Sequence, residues 1–167
     1  MPFDYDTNLN AVVNALKNYN SAGSSPDLSD GLSERINNVN ILASDPELNK
    51  PRADRLPAIY VMISDKEETP EALGATGVSG TKKRATVRYD IFGIFGKYGG
   101  HSPHSELLTD IYKLAKNIEG VFQAEYDLSN TALWCHPVST EFSPAIDLGE
   151  GFAKAVLVNL EAAYFFR

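Results

Sequence analysis

The C-terminal run of this chain constrains its fold most. Over residues 152–166, FAKAVLVNLEAAYFF, side chains alternate almost without a break. Val156, Val158, Leu160, Ala162, Tyr164 and Phe166 fall on one side, and Ala155, Leu157, Asn159, Glu161 and Phe165 on the other. A period of two is that of a β-strand, and a strand this long needs strand partners and a core for its apolar side. Two further runs supply them. Residues 82–96, KKRATVRYDIFGIFG, set Val87, Tyr89, Ile91 and Phe95 against Arg88, Asp90, Phe92 and Ile94. Residues 57–65, PAIYVMISD, set Ile59, Val61 and Ile63 against Tyr60 and Met62, and apolar groups on both sides predict an interior strand. These two runs form a hairpin whose tip, residues 66–80, far exceeds the usual two to five residues, a length associated with function or mobility. Residues 131–142, TALWCHPVSTEF, read as a third strand that Pro137 makes an edge or bulged one.

Helical spacing appears in three places. Leu9, Val12, Val13 and Leu16 form one stripe over residues 4–20, with Asp6 or Thr7 as N-cap. Leu107, Leu108, Ile111, Leu114, Ala115 and Ile118 form another over residues 103–119, capped by Ser102 or Ser105 and ended by Gly120. Ile36, Val39 and Leu42 predict a short helix over residues 32–43, although its asparagines oppose one. Residues 20–31 read as a loosely held polar loop, and the proline-bearing stretch 45–57 as a surface connector. The resulting expectation is an α+β fold: a mostly antiparallel (mixed) sheet of about four main strands with a long hairpin, helices packed on one face. At 167 residues it is a single domain, with an N-terminal helix and polar loop (1–54) and a sheet-and-helix core (55–167).

Charge and composition then exclude whole classes. Eight Tyr and eight Phe among abundant aliphatics exclude a disordered chain, and a net charge of −7 argues against a dedicated nucleic-acid binder. One cysteine excludes an internal disulfide, and with three histidines it leaves no four-ligand zinc knuckle. The N-terminus MPFDYDTNLN is acidic and lacks the apolar segment of a secretory signal. Lys154, Asn159 and Glu161 interrupt the most apolar stretch, so no membrane span is expected. A soluble, intracellular protein is the expectation.

Candidate chemistry is sparse. His101, His104 and Glu106 have part of a zinc ligand set, but Pro103 intervenes and no distant ligand is evident. Cys135 and His136 are strand neighbours that point to opposite faces, which favours a structural cysteine over a nucleophile and its base. Gly93, Gly96, Gly99 and Gly100 fit neither a P-loop nor a dinucleotide fingerprint; Gly93 marks a bulge or a close backbone approach. Asp45 with Glu47, and Asp147 with Glu150, sit in loops with nothing to raise a pKa. The expectation is therefore no catalytic residue, no cofactor and no metal. What stands out is a charge match at the base of the hairpin. Lys82, Lys83, Arg84 and Arg88 face Glu67, Glu68 and Glu71, in the same chain or a neighbouring one, and these seven are the candidate subunit or tube contacts.

The order of these segments (an N-terminal amphipathic helix, RLPAIYVMISD, a long loop, TVRYDIFGIFG, SPHSELLTDIYKLAKNIEG, ALWCHPVST and KAVLVNLEAAYFFR) resembles the tail terminator, or tail completion, proteins of long-tailed bacteriophages. The resemblance covers residues 55–167 well and the first helix loosely. It implies a small α/β virion protein without catalytic residues. Such a protein forms a ring, typically hexameric, on the head-proximal end of the tail tube. That ring stops tube polymerisation, offers the surface that joins the head, and lets genomic DNA pass through its lumen. The implied partners are further copies of the chain, the tail tube protein and a head-completion or connector protein. The implied location is the virion, after assembly in the host cytoplasm. Another connector part, such as a head-closure or minor tail protein, and a small-ligand or enzymatic α+β domain remain the alternatives.

Overall fold

A computed structural model describes residues 2–50, 55–70, 83–98, 104–147 and 151–166. The first helix, α1 (Tyr5–Asn18), begins where Asp4 caps it: its Oδ1 accepts the Thr7 N–H at 3.0 Å and its Oδ2 the Thr7 hydroxyl at 2.6 Å. The cap thus lies two or three residues before the expected Asp6 or Thr7, which are inside the helix. Val12 and Leu16 are fully buried, and each such aliphatic contributes about 1.5–3 kcal/mol.

The loop after α1 is tied down. Leu28 is fully buried, and the Asn117 amide donates to the carbonyls of Leu28 at 3.0 Å and Asp30 at 2.9 Å. The Ser29 hydroxyl donates to Asn20 Oδ1 at 2.8 Å and accepts the Ile36 N–H at 3.0 Å. The short helix expected over residues 32–43 is absent. In its place are a single 3-10 turn, Asn38–Asn40, and a strand, β1 (Ile41–Ala43). The Asn37 side chain accepts the Val39 N–H, so asparagine competes locally with helix hydrogen bonding, and Ile41 gains burial by joining the sheet instead.

Among the described residues the sheet has six strands rather than four: β1, β2 (Ala58–Pro70), β3 (Lys83–Tyr98), β4 (Trp134–Phe142), β5 (Ile146–Asp147) and β6 (Gly151–Phe166). Their order is β1-β2-β3-β6-β4, with β5 also on β6. Only the β1–β2 pair is parallel, so the α+β fold has a mixed, mostly antiparallel sheet. β2 continues to Pro70, opposite Lys83, so residues 66–70 are strand rather than tip; residues 71–82 lie outside the described ones. β4 starts later than expected because Leu128, Ser129 and Asn130 turn through the left-handed region before it. Pro137 does mark an edge strand with an irregularity, the register slipping between Pro137 and Ser139.

The second helix, α2 (His104–Ala124), runs past Gly120, which does not end it. Val121 and Phe122 are fully buried beyond that glycine, and their burial outweighs its cost of about 1 kcal/mol. Ser105 lies within the helix, whereas Ser102 and Pro103 fall outside the described residues. Both helices pack on the face carrying Ile59, Val61, Tyr89, Ile91, Val156, Val158 and Leu160, and Phe3, Val12, Leu16, Leu28, Ile36 and Ile41 join the same buried cluster. Gly93 is the close approach, not the bulge: a Cβ there would lie 2.9 Å from Leu114 Cδ2 of α2.

Candidate functional site

The register of β2, β3 and β6 divides the predicted charge cluster between two faces. Lys66 opposes Val87 and Glu68 opposes Ala85, so both share the helix-side face with Lys83. Glu68 there receives Lys66 and, at 3.4 Å, Lys83. These hydrogen bonds raise the Lys66 pKa, helped by a Tyr5 contact, and lower that of Glu68. The Lys66 ammonium also lies 5.2 Å from the Phe3 ring centroid and 5.1 Å from that of Tyr5, and Lys83 lies 5.9 Å from Phe166. Edge-to-face contacts of Phe3 with Tyr164 and Phe166, each at 5.6 Å, complete the arrangement, so the N-terminus is pinned to the distal half of the sheet.

Arg88 lies on the other face. Its Nε donates to Glu161 Oε2 at 3.2 Å, and its Nη1 is 3.8 Å from Asp65 Oδ2. Arg84 and Glu67 share that face; Arg84 opposes Phe165 and Glu67 opposes Thr86. Glu71 and Lys82 lie outside the described residues. Sequence reading missed three partners, Asp65, Lys66 and Glu161. The alternation of residues 152–166 placed Glu161 opposite the apolar side, but only the β3–β6 register puts it across from Arg88.

The groups with the most displaced pKa values form a closed core cluster. The hydroxyls of Tyr89 and Tyr164 share a hydrogen bond at 2.7 Å, and both side chains are buried. The Cys135 thiol donates to the Glu125 carbonyl at 3.1 Å. Burial pushes the Tyr164 phenol up to about 12 and the Cys135 thiol up to about 12, and raises Tyr89 as well. A thiol so raised is the reverse of an activated nucleophile. His136 is exposed, stacked at 4.9 Å on Trp134 and turned away from Cys135. Among the described residues no group of three His, Cys, Asp or Glu side chains could hold a metal ion. His101 lies outside those residues, and His104 opens α2.

The far edge of the sheet offers a different surface. The first half of β4 is closed to a further strand, because the Cys135 N–H already donates to the Tyr126 carbonyl at 2.5 Å and Pro137 has no donor. From the register slip onward this edge exposes apolar groups on both faces: Val138, at the slip, is 57% exposed and Ile146, opposite Ala153, 48%, while Phe142 (44%), opposite Val156, and Phe152 (40%) lie on the helix-side face. Tyr112 of α2 makes an edge-to-face contact with Phe142 at 5.0 Å on the helix side. Exposed apolar groups gathered at one sheet edge make it a candidate interaction surface. No described helix is long and apolar enough to cross a membrane. Neither protein-family models nor curated proteins give a match to the chain.

Proposed function

We propose that this chain is a structural virion subunit: a phage tail terminator that forms a ring on the head-proximal end of the tail tube, halts tube growth and presents the surface for head joining. Self-association into a hexamer, the tail tube protein and a head-completion protein are the partners of this reading. Genomic DNA passes through the lumen without specific binding, the chain performs no catalysis, and its place is the virion after assembly in the host cytoplasm.

The observation that carries the reading is the pair of unlike surfaces on opposite sides of one sheet. On the β6 side, Val138, Phe142, Ile146 and Phe152 are exposed apolar groups at one edge, spread over both faces of the sheet. On the opposite side, β2 carries Asp65, Lys66, Glu67, Glu68 and Thr69 along an arm that, among the described residues, only β3 pairs beyond Val61. Unlike surfaces on opposite sides favour heterologous, head-to-tail contact, and such contacts close into rings when the rotation allows. The charges of the arm give register and partner choice more than affinity. A net charge of −7 also suits a conduit for DNA, since acidic walls repel phosphate.

Light scattering after size exclusion over a broad concentration series, with negative-stain imaging of the main peak, tests the reading. Six-fold rings of about six chain masses are the expected outcome, alone or with tube protein added. A stable dimer at every concentration, unchanged by tube protein, would overturn it.

A further inference from the structure

The segment ahead of α1 crosses onto the sheet instead of packing on its own helix. Phe3 precedes the Asp4 cap, where a hydrophobe ordinarily packs against the fourth helical residue. That residue here is Asn8, whose polar side chain donates to the Asp4 carbonyl. The Phe3 ring turns to β6 instead and is only 7% exposed, edge-on to Tyr164, Phe166 and Tyr5. A small residue belongs to its seat: the register places Ala85 between Glu68 and Tyr164, and Ala85 is fully buried in the same apolar cluster as Phe3. Beside it the Lys66 ammonium stands over both rings, 5.2 Å from the centroid of Phe3 and 5.1 Å from that of Tyr5, while pairing with Glu68. Lys66 is the only cation on β2, and alternation turns it to these rings rather than to the face of Arg88.

We infer that residues 2–5 form a strap that closes over the distal half of β2 and β3, with Lys66 as its catch. Closed, the strap holds this arm as a rigid part of the sheet; open, it lets the arm loosen while the rest of the fold stays intact. The pairing pattern makes the arm separable. β1 supports β2 only as far as Val61, and the register of β2 on β3 slips between Ile63 and Asp65. Beyond the slip, β3 is the only strand partner of β2 among the described residues. The burial of one aromatic ring and a cation over two rings are contributions of the size that separates locally closed from locally open states. The inference does not depend on the ring reading, although an arm already ordered has less conformational entropy to lose on meeting a neighbour.

Amide hydrogen exchange of the full chain, read by NMR, tests the strap. Phe3→Ala should speed exchange across residues 66–69 and 84–87 at least about tenfold, and leave residues 59–61 and 91–93 within about twofold of the parent. The Lys66 ε-methylene protons, shifted upfield by the two rings in the parent, should move towards free-lysine values in the same variant. Lys66→Met keeps a long stem without the charge and should give a smaller rise in the same amides. Tyr5→Ala removes a ring that is 47% exposed, on which little of the core rests. It should speed exchange in the arm at least about threefold with the thermal midpoint within a few degrees of the parent. A rise of equal size in the arm and in residues 59–61 and 91–93 would make Phe3 an ordinary core residue and overturn the strap. Arm amides unchanged in both Phe3→Ala and Tyr5→Ala, or a parent Lys66 without the upfield shift, would overturn it too. Ring formation is read separately by light scattering, so a chain whose strap behaves as stated and which never assembles counts against the ring reading alone.

Discussion

At the scale of the residue, the buried Tyr89–Tyr164 pair is where chemistry and stability meet. The two hydroxyls share one hydrogen bond at 2.7 Å, and both side chains are buried. Tyr164→Phe leaves the Tyr89 hydroxyl buried without this partner and should cost about 1–3 kcal/mol, whereas Tyr89→Phe/Tyr164→Phe, which removes both polar atoms, should cost less than the two single changes together. Urea unfolding of the four proteins measures the difference; strict additivity would show that the hydroxyls do not depend on one another. The same cluster sets an alkaline limit. Tyr164 and Cys135 have ordinary values of 10.0 and 9.0 and are each pushed up to about 12 in the folded chain. A folded pKa above the unfolded one means that the unfolded chain loses its proton first. The associated stability is complete below about pH 9 and is lost as pH rises through about 12, at about 1.4 kcal/mol per tenfold difference in proton affinity. Stability measured from pH 8 to 11 should therefore fall less steeply in Cys135→Ala than in the parent. Parallel curves would remove the thiol from this account.

At the scale of the element, glycines distinguish packing from propensity. A Cβ on Gly93 would meet Leu114 Cδ2 at 2.9 Å, Val156 Cγ1 at 3.1 Å and Ile118 Cδ1 at 3.2 Å, all from fully buried side chains. Gly93→Ala should thus cost about 1–3 kcal/mol by forcing α2 off the sheet. Gly120 is the opposite case. Its Cβ would find only Pro26 Cβ, at an ordinary 3.7 Å, inside a helix. Gly120→Ala should raise stability by about 0.5–1 kcal/mol, and thermal unfolding of both variants checks the opposed signs. These positions also show what could be read in the sequence. The long strands were legible because burial on one face enforces period two over many residues, as in Val156 through Tyr164. β1 and β5 were not, because two or three residues such as Ile146 and Asp147 carry no period, and only the partner strand defines them. Gly120 misled because a terminator signal is local, while the burial of Val121 and Phe122 that overrides it is tertiary. The charge cluster was legible in composition but not in geometry: alternation separates Lys83 and Glu68 from Arg88 and Glu161 only once the register is known.

At the scale of the whole molecule, the exposed edge residues Val138, Phe142, Ile146 and Phe152 are where folding and assembly can be separated. Phe142 is a poor probe, because its ring packs on Tyr112 and its loss would disturb α2. Val138 lies at the register slip and Ile146 in a two-residue strand, both about half exposed, so little folding energy rests on either. Surface changes away from caps and cores usually fall within about 0.5 kcal/mol. In an interface the same positions would lose solvent, and burying a new carboxylate there without a partner costs several kcal/mol. Val138→Glu/Ile146→Glu should therefore unfold with the parent's midpoint to within a few degrees while no longer forming rings in solution or on tube ends. Added salt should not restore it, since screening weakens repulsion between exposed charges but does not supply the desolvation cost of a buried one. Rings of the parent, in contrast, should gain from moderate salt, because subunits of net charge −7 repel one another on approach. A double variant that still assembles would move the interface away from this edge and leave the charged arm of β2 and β3 as the surface to test next.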